Sequence, residues 1–303
     1  MKYRNLAGEP SAVFRLGIIG SDNSHAEAFS RLTNLASSEP RIEDARVTHI
    51  YGTDPERTKE VATKCEIPNI VTRSEEMLGN VDGVLCVWRH ASKHMPDTLP
   101  FIKAGIPAFV DKPLAHTVAD ARQLIDTALT SKVGFTSFST LRYCKPTVDW
   151  IASLPGAVEK PVTGMSAGPA EIDSEYDGLP FYGVHTVEMM LATFGYGVES
   201  VTAVEQNKNV MATCRYKSGP VVTLNFLYHA AYVFHVTVYG TKGYSSHAVD
   251  SGDSYYQGMK VIMETLRTGK WPLTPEQLLE PVQVLSATLK SLAEKREVAL
   301  SEV

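Results

Sequence analysis

The chain has few cysteines, and their spacing argues against a disulfide framework or a zinc knuckle. The four cysteines, Cys65, Cys86, Cys144 and Cys214, form no Cys-x-x-Cys pair. Cys86 lies inside an apolar run that predicts a buried strand, where a reduced thiol packs as a small hydrophobic group. We therefore expect reduced thiols in a reducing compartment.

Two further absences narrow the class of protein. The formal net charge of −5 comes with no run of Lys or Arg, so neither a nucleic-acid surface nor a patch for anionic membranes is indicated. No window approaches the roughly 20 apolar residues of a spanning helix, and residues 1–15 lack the apolar core of a signal peptide. We expect a cytoplasmic protein of two domains whose partner is a small molecule.

What the first half does contain is an alternation of strands and helices. The form Ser24-His25-Ala26-Glu27 is that of a capping box and predicts a helix start after the first strand. The alternation predicts a doubly wound parallel sheet with helices on both faces, a Rossmann-type domain over residues 1–139. The predicted strands are 14–20, 46–51, 84–87, 108–110 and 133–139, and the predicted helices are 55–64, 74–78, 94–104 and 118–130.

The second half, residues 140–303, has a different pattern. Alternating apolar and polar residues separated by glycine-rich turns predict a mainly antiparallel sheet, and helices are expected on one of its faces. This is the pattern of an α+β domain. The predicted strands are 200–206, 210–216, 221–227 and 235–239, the turns 217–220 and 240–243, and the helices 148–154, 184–194 and 275–294.

Asp111-Lys112-Pro113 follows the predicted strand 108–110 and precedes a predicted helix. Ligands of open parallel sheets bind at the edge where strands give way to helices. Lys112 is therefore the first candidate for chemistry. A surface lysine before a turn proline is the commoner origin of such a tripeptide, and only the strand-to-helix context favours the functional interpretation.

With both halves in view, the sequence resembles the Gfo/Idh/MocA family, the glucose-fructose oxidoreductase and inositol dehydrogenase-like enzymes. The resemblance implies an NAD(P)-dependent oxidoreductase that acts on a sugar, polyol or related hydroxy compound, and a homodimer or homotetramer built through the C-terminal sheet. The features that carry it are Gly17-Ile18-Ile19-Gly20, the apolar strand running to His94, Asp111-Lys112-Pro113 in place of Glu-Lys-Pro, Gly183-Val184-His185, and Gly240-Thr241-Lys242-Gly243.

The dinucleotide loop departs from the family pattern. Asp22 and His25 replace the second and third glycines of Gly-x-Gly-x-x-Gly, and Gly52 stands where an acid normally binds the ribose, with Asp54 two residues later. An alternative therefore stays open, a non-catalytic ligand-binding or regulatory relative that has lost nicotinamide. The resemblance implies cofactor contacts, to NAD or NADP, from Gly20, Ser21, Asp22, Asn23, Ser24, His25, Asp54, Trp88, His94 and Asp111.

The resemblance also assigns the chemistry to Lys112 and His185. Hydride transfer from an alcohol needs a base for the hydroxyl proton and a positive charge near the oxygen, which suit His185 and Lys112 respectively. The family's Asp-x-Gly-x-His reads Phe181-Tyr182-Gly183-Val184-His185 here, so the carboxylate is missing. Tyr182 or Glu188 is the candidate partner for the histidine.

Four residues are candidates for substrate binding: Arg142, Tyr143, Tyr182 and Glu188. A guanidinium and a phenol suit hydroxyls or a carboxylate, but a salt-bridged arginine and a core tyrosine explain Arg142 and Tyr143 equally well. Two pairs have helical spacing for metal binding, His90 with His94 and His185 with Glu188. Neither has a third ligand at a recognisable spacing, so we predict no metal.

Overall fold

The computed structural model describes residues 13–217 and 219–303, and its first half is a six-stranded parallel sheet in the order β3-β2-β1-β4-β5-β6. The strand order reverses between β1 and β4, which is the position where doubly wound sheets bind dinucleotides. The predicted fold of this half is confirmed. Its strands are β1 (Phe14–Ile19), β2 (Ala45–Tyr51), β3 (Asn69–Ile70), β4 (Gly83–Cys86), β5 (Ala108–Val110) and β6 (Phe135–Thr136), and its helices are α1 (Ser24–Asn34), α2 (Pro55–Lys64), α3 (His94–Lys103) and α4 (Val118–Ser131).

Two local predictions in this half are wrong. The cap of α1 is Asn23, whose side-chain oxygen accepts from the backbone N–H of His25 at 3.1 Å, so Ser24 is already helical and forms no capping box. The last strand is shorter than 133–139, because β5, with which it pairs, ends at Val110 and the last pair is Phe109 with Thr136. The edge strand β3 is two exposed residues long and gave no apolar signal.

The second sheet has seven strands in the order β12-β11-β7-β10-β9-β8-β13. It is mainly antiparallel, as predicted, with one parallel pair between β7 and β10. The 240–243 turn joins β11 to β12, while the 217–220 turn includes Ser218, which lies outside the described residues. The strands are β7 (Pro161–Pro169), β8 (Val198–Gln206), β9 (Asn209–Tyr216), β10 (Val221–Leu227), β11 (His235–Gly240), β12 (Tyr244–Ala248) and β13 (Val298–Ala299), and the helices are α5 (Lys145–Val158), α6 (Pro180–Phe194), α7 (Ser254–Thr268) and α8 (Pro275–Glu294).

The hydrophobic core of the first sheet is completed by residues from the end of the chain. Met259, Ile262 and Leu266 of α7 are buried in the same cluster as the strands of the first sheet. Gly134 permits this close approach, because a Cβ there would lie 2.2 Å from the carbonyl oxygen of Thr265. The domain boundary after residue 139 stays a prediction, since α7 lies far beyond it in sequence and packs on the first sheet.

Two further features concern the whole described chain. All four cysteines are buried and free of disulfide bonds. None of the helices within residues 13–217 and 219–303 combines the length and the apolar character needed to cross a bilayer.

Candidate active site

The end of β5 brings Lys112 against the first turn of α6. Its ammonium donates to the carbonyl oxygen of Phe181 at 3.3 Å and lies 4.9 and 5.3 Å from the rings of Phe181 and Tyr182. The residue is 5% exposed, and burial lowers the pKa of Lys112, with the Asp111 carboxylate opposing that shift. The structure thus joins the lysine of one half to the helix that carries His185.

A hydroxyl group positions the ring of His185. Its Nδ1 lies 2.7 Å from Ser139 Oγ, and its ring contacts the rings of Tyr182 and Phe234, both with centroids 5.3 Å away. Burial, followed by the charge of Lys112, lowers the pKa of His185 well below its ordinary value. The imidazole is therefore neutral near pH 7. Its partner is Ser139 and not Tyr182 or Glu188.

His25, in the first turn of α1, lines the same cavity as His185. Its Nδ1 lies 2.6 Å from Oδ2 of Asp111, which also accepts from Asn23 Nδ2 at 3.2 Å. Burial raises the pKa of Asp111, but the His25 ring and the Lys112 ammonium outweigh it and lower the pKa to about 2. Sequence reasoning placed His25 and Asp111 among the cofactor contacts and missed this pair, because 86 positions separate them.

His25 and His185 line one cavity of about 120 Å³. Two tyrosines of its wall, Tyr182 and Tyr232, share a hydroxyl contact of 3.0 Å and also border a larger cleft of about 560 Å³. The cleft contributes further aromatic rings from Tyr176, Phe181 and Tyr228. A ligand in the cleft would thus contact the same two tyrosines that line the cavity of the two imidazoles. The remaining residues of the small cavity are Thr140, Leu141, Phe234, Ser251, Ser254 and Tyr255.

The loop after β1 keeps one glycine that its geometry requires. Gly20 has a φ of +101°, and a Cβ there would lie 2.8 Å from the backbone nitrogen of Trp88. At the end of β2, a Cβ on Gly52 would lie 2.0 Å from Ser21 Oγ and 2.4 Å from Thr58 Oγ1. The two hydroxyls are hydrogen-bonded at 2.8 Å. They occupy the space that an acidic side chain at position 52 would need.

The other predicted cofactor contacts hold local structure. Asp54 caps α2, accepting from the backbone N–H groups of residues 56 and 57 at 3.0 and 3.1 Å. Trp88 is buried and donates to Asp97 at 2.7 Å. Ser24 is exposed in the first turn of α1, and Asp22 has one buried carboxylate oxygen, Oδ1, without a hydrogen-bond partner among the described residues. Their contact with a cofactor stays a prediction.

The histidine and glutamate pairs considered for metal binding use their polar atoms elsewhere. The ring nitrogens of His94 contact the backbone oxygens of Pro113 and Trp88 at 2.9 and 3.0 Å. Glu188 binds Arg142 in a buried ion pair of 2.6 Å. In the part of the chain that the structure describes, no three His, Cys, Asp or Glu side chains form a metal-binding group.

Two of the four substrate candidates thus bond each other. Both side chains of the Arg142–Glu188 pair are less than one tenth exposed, and the ring of Tyr143 packs edge-on against Phe138 with centroids 4.7 Å apart. Burial raises the pKa of Glu188 although Arg142 opposes the shift. This is the geometry of a salt-bridged arginine and a core tyrosine, the structural alternative for Arg142 and Tyr143. Tyr182, by contrast, faces both cavities.

Part of the chain matches a family model, and one curated relative aligns with it. Residues 14–137 match the model of the oxidoreductase family with an NAD-binding Rossmann fold, Gfo/Idh/MocA. Inositol 2-dehydrogenase of Acidothermus cellulolyticus is 25% identical over 209 residues, an alignment that covers 65% of this chain and 58% of that protein. The chain therefore aligns with less than two thirds of that relative's length.

Solved structures share the fold over nearly the whole chain. A probable dehydrogenase from Thermotoga maritima superposes with a TM-score of 0.81 at 21% identity and covers 96% of this chain and 100% of its own. Myo-inositol dehydrogenase from Lactobacillus casei, in complex with NAD(H) and myo-inositol, gives 0.80 at 16% identity with 95% and 96% covered. The first half of the chain therefore matches the Gfo/Idh/MocA model, and these solved structures share the fold of both halves.

Proposed function

We propose that the protein is an NAD(P)-dependent oxidoreductase that transfers a hydride between the cofactor and a CH–OH group of a polyol, sugar or related compound. The observation that carries the proposal is the contact of the Lys112 ammonium with the first turn of α6. The same helix carries the neutral His185, which lines a cavity. The family match and the curated inositol dehydrogenase relative support it.

The cofactor loop fits a dinucleotide in two respects. Gly20 keeps the backbone open where the strand order reverses, and the N-terminus of α1 follows directly, where its N–H groups and dipole favour a pyrophosphate. The bound nicotinamide would accept or return the hydride.

The chain's own residues handle the substrate oxygen. Lys112 places a positive charge beside it and stabilises the negative charge that develops when the proton leaves. His185, neutral and held by Ser139, provides a hydrogen-bonding and proton-accepting group. The rings of Phe181 and Tyr182 cover Lys112 and exclude water, which strengthens both interactions.

The end of β2 favours NADP over NAD. Gly52 has no room for the acid that would bind a ribose 2′-hydroxyl. Arg57 lies at the same edge, with Nε donating to the carbonyl oxygen of Ser21 at 3.3 Å and an ion pair to Glu60 at 2.7 Å. An arginine there is the group that accommodates a 2′-phosphate. Arg57→Ala should weaken NADP binding and leave NAD binding unchanged, and equal losses would contradict this preference.

The outer face of the second sheet supports a homodimer or homotetramer. Large apolar side chains on this face are 45–71% exposed, and two pairs of them lie opposite each other on neighbouring strands, Val204 with Met211 and Tyr239 with Tyr244. Patches of this kind mark protein interfaces. They are Val204, Met211, Val221, Tyr239 and Tyr244. Sedimentation velocity at micromolar concentration tests the assembly, and a monomer throughout would contradict it.

Ligand binding tests the function. NAD(H) or NADP(H) should raise the melting temperature, because a ligand at a hundredfold excess over its Kd stabilises the native state by ~2.7 kcal/mol. Reduction of the same cofactor should then follow with a panel of sugars and polyols that includes myo-inositol. No thermal shift with either dinucleotide would contradict the proposal and favour the non-catalytic relative.

A further inference from the structure

The small cavity contains a second imidazole that the proposed function leaves unused. His25 comes from the first turn of α1 and His185 from α6, and both line the same cavity of about 120 Å³. His25 stands at the position of the family's third glycine. Its ring is fixed edge-on to Tyr255, with centroids 5.3 Å apart, and tilted against Phe29 at 5.7 Å.

The partner of His25 determines which ring nitrogen carries the hydrogen. Asp111 is 1% exposed and ionised, so its oxygens accept hydrogen bonds and cannot donate them. The hydrogen in the 2.6 Å contact therefore belongs to Nδ1 of His25. In the neutral ring the lone pair is then on Nε2. This nitrogen has no hydrogen-bond partner within residues 13–217 and 219–303.

The two histidines of the cavity differ in this respect. Ser139 can donate to Nδ1 of His185 or accept from it, so its hydroxyl permits both tautomers of that ring. A carboxylate permits only one. It also stabilises the imidazolium that forms when the ring takes up a proton, as the aspartate of a catalytic triad does. Of the two rings, His25 is therefore the one whose free nitrogen has a fixed position, at Nε2.

We propose that His25 and Asp111 are a catalytic acid-base pair, in which Nε2 of His25 takes the proton of the substrate hydroxyl. This inference rests on the proposed function and changes one role in it, because His25 instead of His185 takes the proton and His185 hydrogen-bonds the substrate. In the oxidation direction the O–H bond breaks, its electron pair becomes the second bond of the carbonyl, and the proton binds Nε2. The hydride leaves carbon for the nicotinamide. In reduction each transfer runs backwards.

The pair also accounts for a departure in α6. Phe181 replaces the carboxylate that the family pattern places four residues before the histidine, so His185 has no acid of its own. Asp111 supplies a carboxylate from β5, through a different histidine. The cavity then suits a substrate with one hydroxyl toward each imidazole, such as a vicinal diol, whose remaining atoms extend past Tyr182 into the larger cleft.

The position of the hydrogen is measurable without any ligand. In ¹⁵N-histidine-labelled protein at alkaline pH, long-range ¹H–¹⁵N spectra should show a ring protonated at Nδ1 that disappears in His25→Gln. The matched control His49→Gln, on β2 and outside the cavity, should retain that signal. A His25 ring protonated at Nε2 would overturn the proposal, whether or not the protein binds nicotinamide.

Kinetics separate an acid-base role from a cofactor contact. With any polyol that the wild type oxidises, His25→Gln should lower kcat by about a hundredfold or more while the dinucleotide Kd changes by less than about threefold. Added imidazole should restore part of the turnover of His25→Ala and have no effect on His49→Ala. A weakened Kd with unchanged kcat would overturn the pair as catalytic. Absence of all dinucleotide binding would refute the proposed function instead, and the hydrogen position would still decide the geometry of the pair.

Discussion

Two groups of buried charged side chains among the described residues are built differently. Arg142 and Glu188 bond each other at 2.6 Å and line neither cavity. Asp111, Lys112 and His25 are equally buried or nearly so, yet Oδ1 of Asp111 has no partner among the described residues, and His25 faces a cavity. Burial and charge are common to both groups. Open hydrogen-bonding capacity beside space for a ligand distinguishes the second, and it is the better indicator of function.

Breaking the Arg142–Glu188 pair should have the largest effect on stability. Glu188→Gln leaves the Arg142 guanidinium buried without a counter-charge, which should cost about 3–5 kcal/mol of unfolding free energy. The control Glu159→Gln removes an exposed pair with Lys242 and should cost less than about 1 kcal/mol. Urea denaturation measures both. A stable Glu188→Gln with impaired substrate binding would instead place this pair in the binding site.

Removing a charge from the group of Asp111, Lys112 and His25 should affect turnover more than stability. Lys112→Met keeps the apolar stem and removes the charge, so turnover should fall about a hundredfold or more, with dinucleotide affinity unchanged. Lys103→Met, on exposed α3 surface, is the control and should retain full activity. Steady-state kinetics on the best polyol measure both variants. Wild-type turnover in Lys112→Met would remove the lysine from the mechanism.

The pH dependence of stability should reflect the neutral His185. The unfolded chain binds a proton at the ordinary histidine pKa of 6.5, whereas the folded chain, with its lowered pKa, does so only at lower pH. Stability should therefore fall as the pH drops below 6.5, by up to about 1.4 kcal/mol per pH unit from this residue. His185→Gln should flatten that slope. An unchanged slope would mean that His185 is charged in the folded protein.

The smallest effect is expected at Asp22, whose buried Oδ1 also has no hydrogen-bond partner among the described residues. Its carboxylate adds negative charge beside the pyrophosphate, so Asp22→Gly should tighten dinucleotide binding severalfold, about 1 kcal/mol or less. Isothermal titration measures the change. Weaker binding would show that the orphaned oxygen serves the ribose.

Local signals in the sequence predicted most helices and strands, whereas contacts between residues far apart in the sequence were not predicted. Pro55–Lys64 and Pro275–Glu294 begin with a proline in the first turn after a capping side chain, so the sequence marks where they start. β7 carries proline at both ends and two glycines, which resembles a loop until neighbouring strands pair with it. Lys112 and His185 were found through the family pattern. The His25–Asp111 contact was not, because nothing local to either residue indicates the other.

A crystal structure with dinucleotide and a bound polyol tests the central claim most directly. The account predicts that one hydroxyl of the polyol lies in the small cavity, about 3 Å from an imidazole nitrogen and within reach of Lys112 Nζ. The nicotinamide ring should face the carbon that bears this hydroxyl. A polyol held only in the larger cleft, with Lys112 and both imidazoles beyond contact, would contradict the account.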